Sequence, residues 1–309
     1  MAFRFLFALI AGILFPAVAS AACEGRLVDS PHVMPSPACV PDKPQRIVSL
    51  DAGYTLGMAI ELGLPVAGAP LFGMSDEALR EKAESLSVEN LGSLTEPSVE
   101  KIIGLQPDLI LGSGFLGENA LALASRVAPA AFITAQNWKD YLRALIEVSG
   151  SDRKAEDVLA DYESRVARLR DEIPEDLTVS VVRITSWDFQ VYLDSPDAYA
   201  PFAVLREAGV RRTAYETSDD GAETLKRPDW EQLAGLDGNV LLYIVGGTNT
   251  SDTDGRLEEV LDNPLWQQLP AVQAGRVYRV DPATWMEFSG VGSAHKVLDD
   301  IERYFVGKQ

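Results

Sequence analysis

The sequence carries one short pattern twice, and this repeat limits the folds that the chain can adopt. Residues 97–111 and 228–242 share proline, glutamate, glycine and leucine at a constant offset of 131 positions. Each copy predicts a short helix that starts at its proline, then a turn, then a buried strand. Proline suits the first helical position because no amide donor is needed there. Strands that alternate with helices favour parallel sheets, so the repeat predicts two α/β lobes of similar plan.

A second pair of segments supports the two-lobe plan. Residues 46–50 form an apolar strand that leads into a helix ending near Glu61. Residues 179–184 form another apolar strand, and a helix ending near Arg206 follows it after an inserted hairpin. The match is one of architecture, since the residues themselves differ.

Between the two copies lies a long amphipathic segment. One helical stripe of apolar residues runs through residues 151–173, and a proline follows it. About 22 residues of helix would span roughly 33 Å. We therefore expect an α/β fold of two lobes with parallel-rich central sheets, joined by one long rigid helix. The expected parts are residues 44–136 for the N-terminal lobe, 137–174 for the connecting helices and 175–309 for the C-terminal lobe.

The first 22 residues predict export. Arg4 precedes an apolar run from Phe5 to Val18, and small residues follow at positions 19–22, which is typical of a cleavable secretory signal peptide. The apolar run, about 14 residues, is too short to span a bilayer. The mature chain is therefore expected to begin at residue 23 and to act in the periplasm.

The two cysteines of the chain, Cys23 and Cys39, stand at the start of the expected mature protein. In an oxidising compartment such an isolated pair predicts a disulfide, here within an N-terminal extension of residues 23–43. Closing a loop of about 15 residues would stabilise the fold by at most roughly 3 kcal/mol. The alternative is a lipid anchor on Cys23. It is less favoured because Ser20 stands where a lipoprotein signal usually has a large apolar residue.

The charge balance excludes two classes of partner. The chain has 46 acidic against 27 basic residues and a formal net charge of −19 at pH 7. A nucleic-acid binder needs a basic stripe to neutralise phosphates, and the sequence shows none. Attraction to an anionic membrane surface is equally disfavoured. Export also argues against NAD- or ATP-dependent chemistry, so no cofactor is expected.

Several segments together resemble the periplasmic substrate-binding proteins of ABC importers for ferric siderophores, haem and cobalamin. These segments are residues 44–51, 61–64, 94–103, 107–110, 230–233, 275–278 and 297–301. None is diagnostic alone, but their order and spacing are specific across about residues 44–305. The resemblance implies the helical-backbone type of this family, called class III, with a ligand cleft between two lobes and little hinge motion.

The resemblance also implies a docking role for two carboxylates. In that family, one glutamate on each lobe pairs with arginines of the membrane permease. Those positions match Glu100 and Glu231, which the internal repeat also singles out. The alternative is that each glutamate merely complements the dipole of its own helix, which is worth about 0.3–1 kcal/mol.

Ligand contacts are expected at the turns that follow the parallel strands, because ligands bind beyond the carboxyl ends of such strands. Flat apolar side chains at these turns suit a bulky ferric chelate or a corrin. The aromatic candidates are Tyr54, Phe72, Phe115, Trp187, Tyr199 and Trp285. Arg183 could meet an anionic group of the ligand.

Two further positions, Leu94 and Leu116, indicate how polar the expected pocket is. Some hydroxamate binders that this chain resembles carry an arginine and a tyrosine where Leu94 and Leu116 stand. Those contacts cannot be carried over, and the pocket is expected to be apolar at both positions. The two histidines, His32 and His295, are too few for the cleft histidines of zinc or manganese binders, so no direct metal site is expected.

The sequence thus predicts a monomeric, non-catalytic binding protein that captures a ferric siderophore for an ABC permease. Cobalamin or haem is the alternative ligand within the same class of importer. A secreted hydrolase is the alternative from another class. It is disfavoured because neither a G-x-S-x-G elbow nor an H-E-x-x-H pair occurs in the sequence.

Overall fold

A computed structural model describes residues 23–246 and 254–306, so the expected signal peptide lies outside the described residues. Within those ranges, two six-stranded sheets covered by helices form two lobes, as predicted. None of the described helices combines the length and the apolar character needed to cross a bilayer.

The strands are β1 (Arg26–Val28), β2 (Val33–Met34), β3 (Ala38–Val40), β4 (Ile47–Ser49), β5 (Val66–Ala69), β6 (Glu89–Asn90), β7 (Leu109–Ser113), β8 (Ala130–Ile133), β9 (Thr178–Ile184), β10 (Phe189–Tyr192), β11 (Arg211–Arg212), β12 (Leu225–Lys226), β13 (Val240–Val245) and β14 (Val277–Val280). The helices are α1 (Tyr54–Glu61), α2 (Glu77–Ser85), α3 (Val99–Gly104), α4 (Gly117–Ala124), α5 (Trp138–Ser149), α6 (Ala155–Glu172), α7 (Ala200–Glu207), α8 (Arg256–Asp262), α9 (Pro264–Gln267), α10 (Pro270–Gln273), α11 (Pro282–Met286) and α12 (Val291–Phe305). Short 3₁₀ turns occur at Gly114–Leu116, Ala214–Glu216 and Gln232–Gly235.

The N-terminal sheet has the strand order β2-β8-β7-β4-β5-β6. Strands β4 to β8 run parallel, and β2 pairs antiparallel with β8 at one edge. The central strands β4 and β7 are almost continuously buried. Such burial is expected of a parallel sheet, because its crossover helices cover both faces.

The C-terminal sheet has the order β12-β10-β9-β13-β14, with β11 paired to β9. The parallel strands are β9, β11, β13 and β14, whereas β10 turns back against β9 as the predicted hairpin. A buried ion pair between Arg212 and Glu216 fixes β11 to β9. The Arg212 guanidinium donates to the Val179 carbonyl at 3.0 Å, and Glu216 accepts the Val181 amide at 2.8 Å.

The connecting helix α6 is shorter than predicted. It has 18 residues, about 27 Å at 1.5 Å per residue, because residues 151–154 form a bend before it. Its predicted apolar stripe is confirmed, since Leu159, Tyr162 and Leu169 are buried in the main core. The helix therefore joins the lobes by packing as well as by chain continuity.

Two features hold α6 in place. At its start, Gly150 ends α5 with φ +63°, and an added Cβ would lie 2.2 Å from the carbonyl oxygen of Asp42, so only glycine fits. Further along, the Arg165 guanidinium bonds Asp299 at 2.6 Å and Glu302 at 2.8 Å, both on α12. These ion pairs fix the connecting helix to the C-terminal lobe.

The two copies of the repeat fold less alike than predicted, and neither helix starts at its proline. In the first copy, α3 begins two positions after the proline, with Ser98 as its N-cap. In the second copy, the described backbone forms only the 3₁₀ turn at Gln232–Gly235. The Gln232 amide donates to Asp229 at 2.9 Å and the Asp229 amide donates to Gln232 at 3.1 Å, a reciprocal pair at the start of this turn. The strands that follow, β7 and β13, are buried as predicted.

The N-terminal extension is part of the folded core. Cys23 and Cys39 form the predicted disulfide, with Cα atoms 5.7 Å apart. Strands β1 and β3 pair with each other, and β2 joins the large sheet. Val28 and Val40 are buried in the same core cluster as α5. The disulfide thus closes the extension on itself, while the pairing of β2 with β8 and apolar contacts fix it to the N-terminal lobe.

Candidate ligand-binding cleft

A cavity of about 930 Å³ opens between the two lobes. Its N-terminal wall comes from the turns after β4, β7 and β8, and its C-terminal wall from β9, β10 and the loop of residues 286–289. Open α/β sheets bind ligands beyond the carboxyl ends of their parallel strands, which is where this cavity lies. Its volume is in the range of small-molecule pockets, about 300–1,000 Å³.

Five of the nine predicted contact residues line this cavity. Phe115 is 85% exposed and Leu94 is 44% exposed, so both present apolar surface that a ligand could cover. Tyr54, Arg183 and Tyr199 also line the cavity. Their contact with a ligand stays a prediction.

The prediction for Trp285 is wrong. Its side chain is fully buried, and the indole N–H donates to a carboxylate oxygen of Asp300 at 2.8 Å. The strand β14 is followed by α11, which turns Trp285 towards α12 and the core. The next loop, residues 286–289, reaches the cavity instead.

The other three predicted contacts lie off the cavity wall. Phe72 is 71% exposed and stands beside Gly73, which does line the cavity. Trp187 is 64% exposed in the turn between β9 and β10. Leu116 belongs to the 3₁₀ turn that precedes α4. A direct neighbour lines the cavity for Phe72 and Leu116, namely Gly73 and Phe115, whereas the turn that carries Trp187 contributes no lining residue.

Aromatic rings from both lobes form the floor of the cavity. Tyr54 of α1 makes edge contacts with Tyr141 at 5.2 Å and with Phe288 at 5.8 Å between ring centroids. The Tyr141 hydroxyl lies 2.6 Å from the hydroxyl of Thr55. Burial raises the pKa of Tyr54 far above its usual value, so this hydroxyl stays protonated at neutral pH. Phe288 belongs to the C-terminal lobe, so the floor also joins the lobes.

Tyr199 positions the loop that forms the C-terminal wall. Its hydroxyl donates to the Met286 carbonyl at 2.9 Å and accepts the Phe288 amide at 3.2 Å. Burial raises the pKa of Tyr199, which keeps the proton needed for the first bond. Sequence reasoning missed this loop and also Tyr192, which ends β10. The rule on strand ends does not select either, because Tyr192 lies within the antiparallel strand β10 and the loop follows the helix α11.

Two polar contacts cross between the lobes beside the cavity. The carboxylate of Glu61, at the end of α1, accepts the amides of Val291 at 2.9 Å and Gly292 at 2.7 Å. These amides start α12, where the helix dipole favours an anion. On the cavity wall, the Ser75 hydroxyl donates to Glu287 at 2.5 Å. The lobes are therefore connected by hydrogen bonds as well as by α6.

Glu100 and Glu231 are both exposed. Glu100 occupies the first turn of α3, and Glu231 is the N-cap residue of the 3₁₀ turn of the second copy. Along the chain, each stands six positions after a cavity residue, Leu94 and Leu225 respectively.

The described residues 23–246 and 254–306 contain no group of three or more His, Cys, Asp or Glu placed to hold a metal ion. His295 lies on α12, with its Nε2 atom 3.7 Å from Asp161 and its ring against Tyr162.

Two α/β lobes, a bridging helix and an interlobe cavity define a class of ligand-binding protein. A model of the periplasmic binding protein family matches residues 47–284, and the chain belongs to this family. The probable siderophore-binding lipoprotein YfiY of Bacillus subtilis is 30% identical over 285 residues, covering 89% of this chain and 86% of the relative. The achromobactin-binding periplasmic protein of Dickeya dadantii is 28% identical over 268 residues, covering 84% and 86%.

Solved structures agree with the fold. The crystal structure of Staphylococcus aureus SirA complexed with staphyloferrin B has a TM-score of 0.73 to this chain at 23% identity. The match covers 87% of this chain and 95% of SirA. The predicted fold class is confirmed, and membership of the family makes the protein a binding protein rather than an enzyme. The hydrolase alternative is thereby set aside.

Proposed function

We propose that this protein captures a ferric siderophore outside the cytoplasm and delivers it to the permease of an ABC importer. The observation that carries the proposal is the interlobe cavity of about 930 Å³, whose floor is built from aromatic rings of both lobes. The names of relatives support the ligand class, since one is called siderophore-binding and another achromobactin-binding. Iron would arrive within its chelate, as cargo.

Binding can be tested by tryptophan fluorescence of the mature protein, corrected for the absorbance of the coloured ligands. We expect saturable quenching by one ferric chelate, and no such response to haemin or cobalamin. Quenching by haemin or cobalamin alone would keep the transport role and change the ligand. Failure of every chelate, haemin and cobalamin would contradict the proposed function.

Two phenylalanines give a matched pair of variants for this assay. Phe115→Ala removes exposed apolar surface from the cavity wall and should weaken the chelate about tenfold, or about 1.4 kcal/mol. Phe72→Ala removes the same side chain from an exposed site off the wall and should leave the affinity unchanged. Equal effects of both variants would show that the cavity does not hold the ligand.

Delivery is assigned to Glu100 and Glu231, one on each lobe. Support comes from their exposure and from their matching positions in the internal repeat, one on each lobe. Glu100→Ala combined with Glu231→Ala should abolish uptake in cells while the purified variant keeps its affinity for the chelate. Glu163→Ala, an exposed position on α6, is the control. Normal transport by the double variant would refute the docking role.

We also propose that the mature protein is a periplasmic monomer without a lipid anchor. The Cys23 sulfur is bonded to Cys39, and a lipid thioether would need the same atom. Intact mass spectrometry should find a chain that starts at residue 23 and carries no acyl mass. Light scattering should give the mass of one chain with and without the chelate. An acylated N-terminus or a stable dimer would overturn the corresponding part.

A further inference from the structure

The wall of the interlobe cavity is acidic. Four carboxylates line it among the described residues, and only one cationic side chain does. The carboxylates belong to Asp51, Asp76, Asp197 and Glu287, and the cation to Arg183. Burial raises the pKa of Tyr54, Tyr141 and Tyr199, so these hydroxyls of the wall stay protonated and add no charge at neutral pH.

Hydrogen bonds hold three of these carboxylates without neutralising them. Asp51 accepts the amides of Gly53 and Thr55 at 3.0 and 2.8 Å. Asp76 accepts the amide of Leu79 at 3.0 Å, and Glu287 accepts the Ser75 hydroxyl. The salt bridges seen among the described residues do not include these four carboxylates, although burial raises the pKa of Glu287 and the positive charge of Arg183 lowers it in part. Four carboxylates against one guanidinium leave an excess of negative groups on the wall.

Asp76 and Glu287 come from opposite lobes and face the same space. Burial raises the pKa of Glu287, and the charge of Asp76 adds to that effect, which places the two carboxylates within electrostatic reach of each other. Two like charges held together at the wall of a cavity favour a cation between them.

The acidic surface continues beyond the main cavity. An adjoining cavity of about 420 Å³ shares Ser75, Asp76 and Glu287 with it. It adds the carboxylates of Glu77 and Asp281 against a single lysine, Lys296. The acidic lining thus extends from the main cavity into the adjoining one.

We propose that the cavity selects ferric chelates of zero or positive net charge, and that Asp76 and Glu287 receive a protonated amine of the chelate. This inference rests on the proposed function and specifies the class of siderophore. Three hydroxamates balance the charge of Fe(III), whereas three catecholates or a citrate scaffold leave an excess of negative charge. An anionic chelate would meet four carboxylates with one guanidinium to offset them.

The test uses three ferric trihydroxamates that differ at one end only. The first carries a free primary amine and is a cation, the second is its N-acetyl derivative and is neutral, and the third is its N-succinyl derivative and is an anion. We expect affinity to fall in that order, with about a tenfold difference between cation and anion at low salt. The difference should shrink at high salt, because the Debye length falls to roughly 3 Å at 1 M.

Charge-removing variants locate the effect. Glu287→Gln combined with Asp76→Asn keeps an acceptor for Ser75 and for the start of α2, and should reduce the cation-to-anion ratio severalfold. Glu163→Gln removes one exposed charge on α6, outside the cavity, and should leave the ratio unchanged. If the double variant keeps the wild-type ratio of cation affinity to anion affinity, Asp76 and Glu287 are not the residues that select the charge.

The outcomes separate this inference from the proposed function. Equal affinity for all three derivatives, or a preference for the anion, would overturn the charge selection. The charge selection is also overturned if the hydroxamates fail to bind while a ferric triscatecholate or ferric citrate binds saturably. In that case the proposed siderophore function still stands. If none of these chelates binds, the proposed function itself fails.

Discussion

Replacing Glu61 by alanine should loosen the joint between the two lobes. The Glu61 carboxylate belongs to α1, yet both of its oxygens accept amides at the start of α12, at 2.9 and 2.7 Å. Hydrogen bonds to a charged group contribute about 1.5–3 kcal/mol each. Burial raises the pKa of Glu61, which shows that desolvation offsets part of that gain. We therefore expect Glu61→Ala to lower the free energy of unfolding by about 2 kcal/mol.

Urea denaturation at neutral pH, followed by circular dichroism, would measure the loss directly. In a chain of this length, about 2 kcal/mol corresponds to a fall in Tm of roughly 3 °C. Hydrogen exchange should also show faster exchange of the Val291 and Gly292 amides, because their acceptor is gone. Glu163→Ala removes an equal side chain from an exposed part of α6 and serves as the control. A loss below about 0.5 kcal/mol with unchanged exchange would refute the idea that Glu61 caps α12.

Further predictions concern stability. The raised pKa of Glu287 means that its contribution to stability is present below the ordinary glutamate pKa and is lost as pH rises through the raised value. The Tm of the Glu287→Gln variant should therefore be higher than that of the wild type at pH 7.5, and the difference in Tm should shrink towards pH 4. A difference in Tm that does not change with pH would contradict this reasoning. Glu216→Ala should lower the free energy of unfolding, measured by urea denaturation, by about 3–5 kcal/mol, because it leaves Arg212 charged and buried without its partner. A loss near zero would show that this ion pair does not stabilise the fold. Replacing both Cys23 and Cys39 by serine should lower the free energy of unfolding by at most roughly 3 kcal/mol, since the disulfide closes a loop across 16 positions. A larger loss would show that the two cysteines stabilise the fold by more than loop closure.

The sequence predicts the architecture well because the buried strands leave a strong apolar signal. Strands β7 and β13 were expected from the repeat, and both are buried at inner positions of their sheets. The helix starts were less predictable, because they depend on side-chain caps. Ser98 caps α3, while reciprocal Asp229–Gln232 hydrogen bonds stand at a 3₁₀ turn where a short helix starting at the proline was expected.

At the cavity, the sequence indicates which turns contribute to the wall better than it indicates which of their side chains face inward. The rule that ligands bind beyond the strands selected turns that do form the wall, and Tyr54 and Phe115 follow from it. Which side chain of a turn faces inward depends on the next helix. At the turn after β14, α11 buries Trp285 and delivers Phe288 to the floor. The acidic wall was not foreseen, because Asp76 and Glu287 are 211 positions apart and meet only in the folded chain.

The pairing of β2 with β8 also determines how copies of this protein meet one another. An uncovered β8 would present a row of free backbone donors and acceptors, on which a strand of a second molecule could build. The N-terminal extension occupies that edge. The new edge, β2, is two residues long and is followed by Pro35 and Pro37, which carry no amide hydrogen. Strand exchange between molecules is therefore blocked at this edge, and the protein can accumulate to high concentration without forming edge-to-edge polymers there.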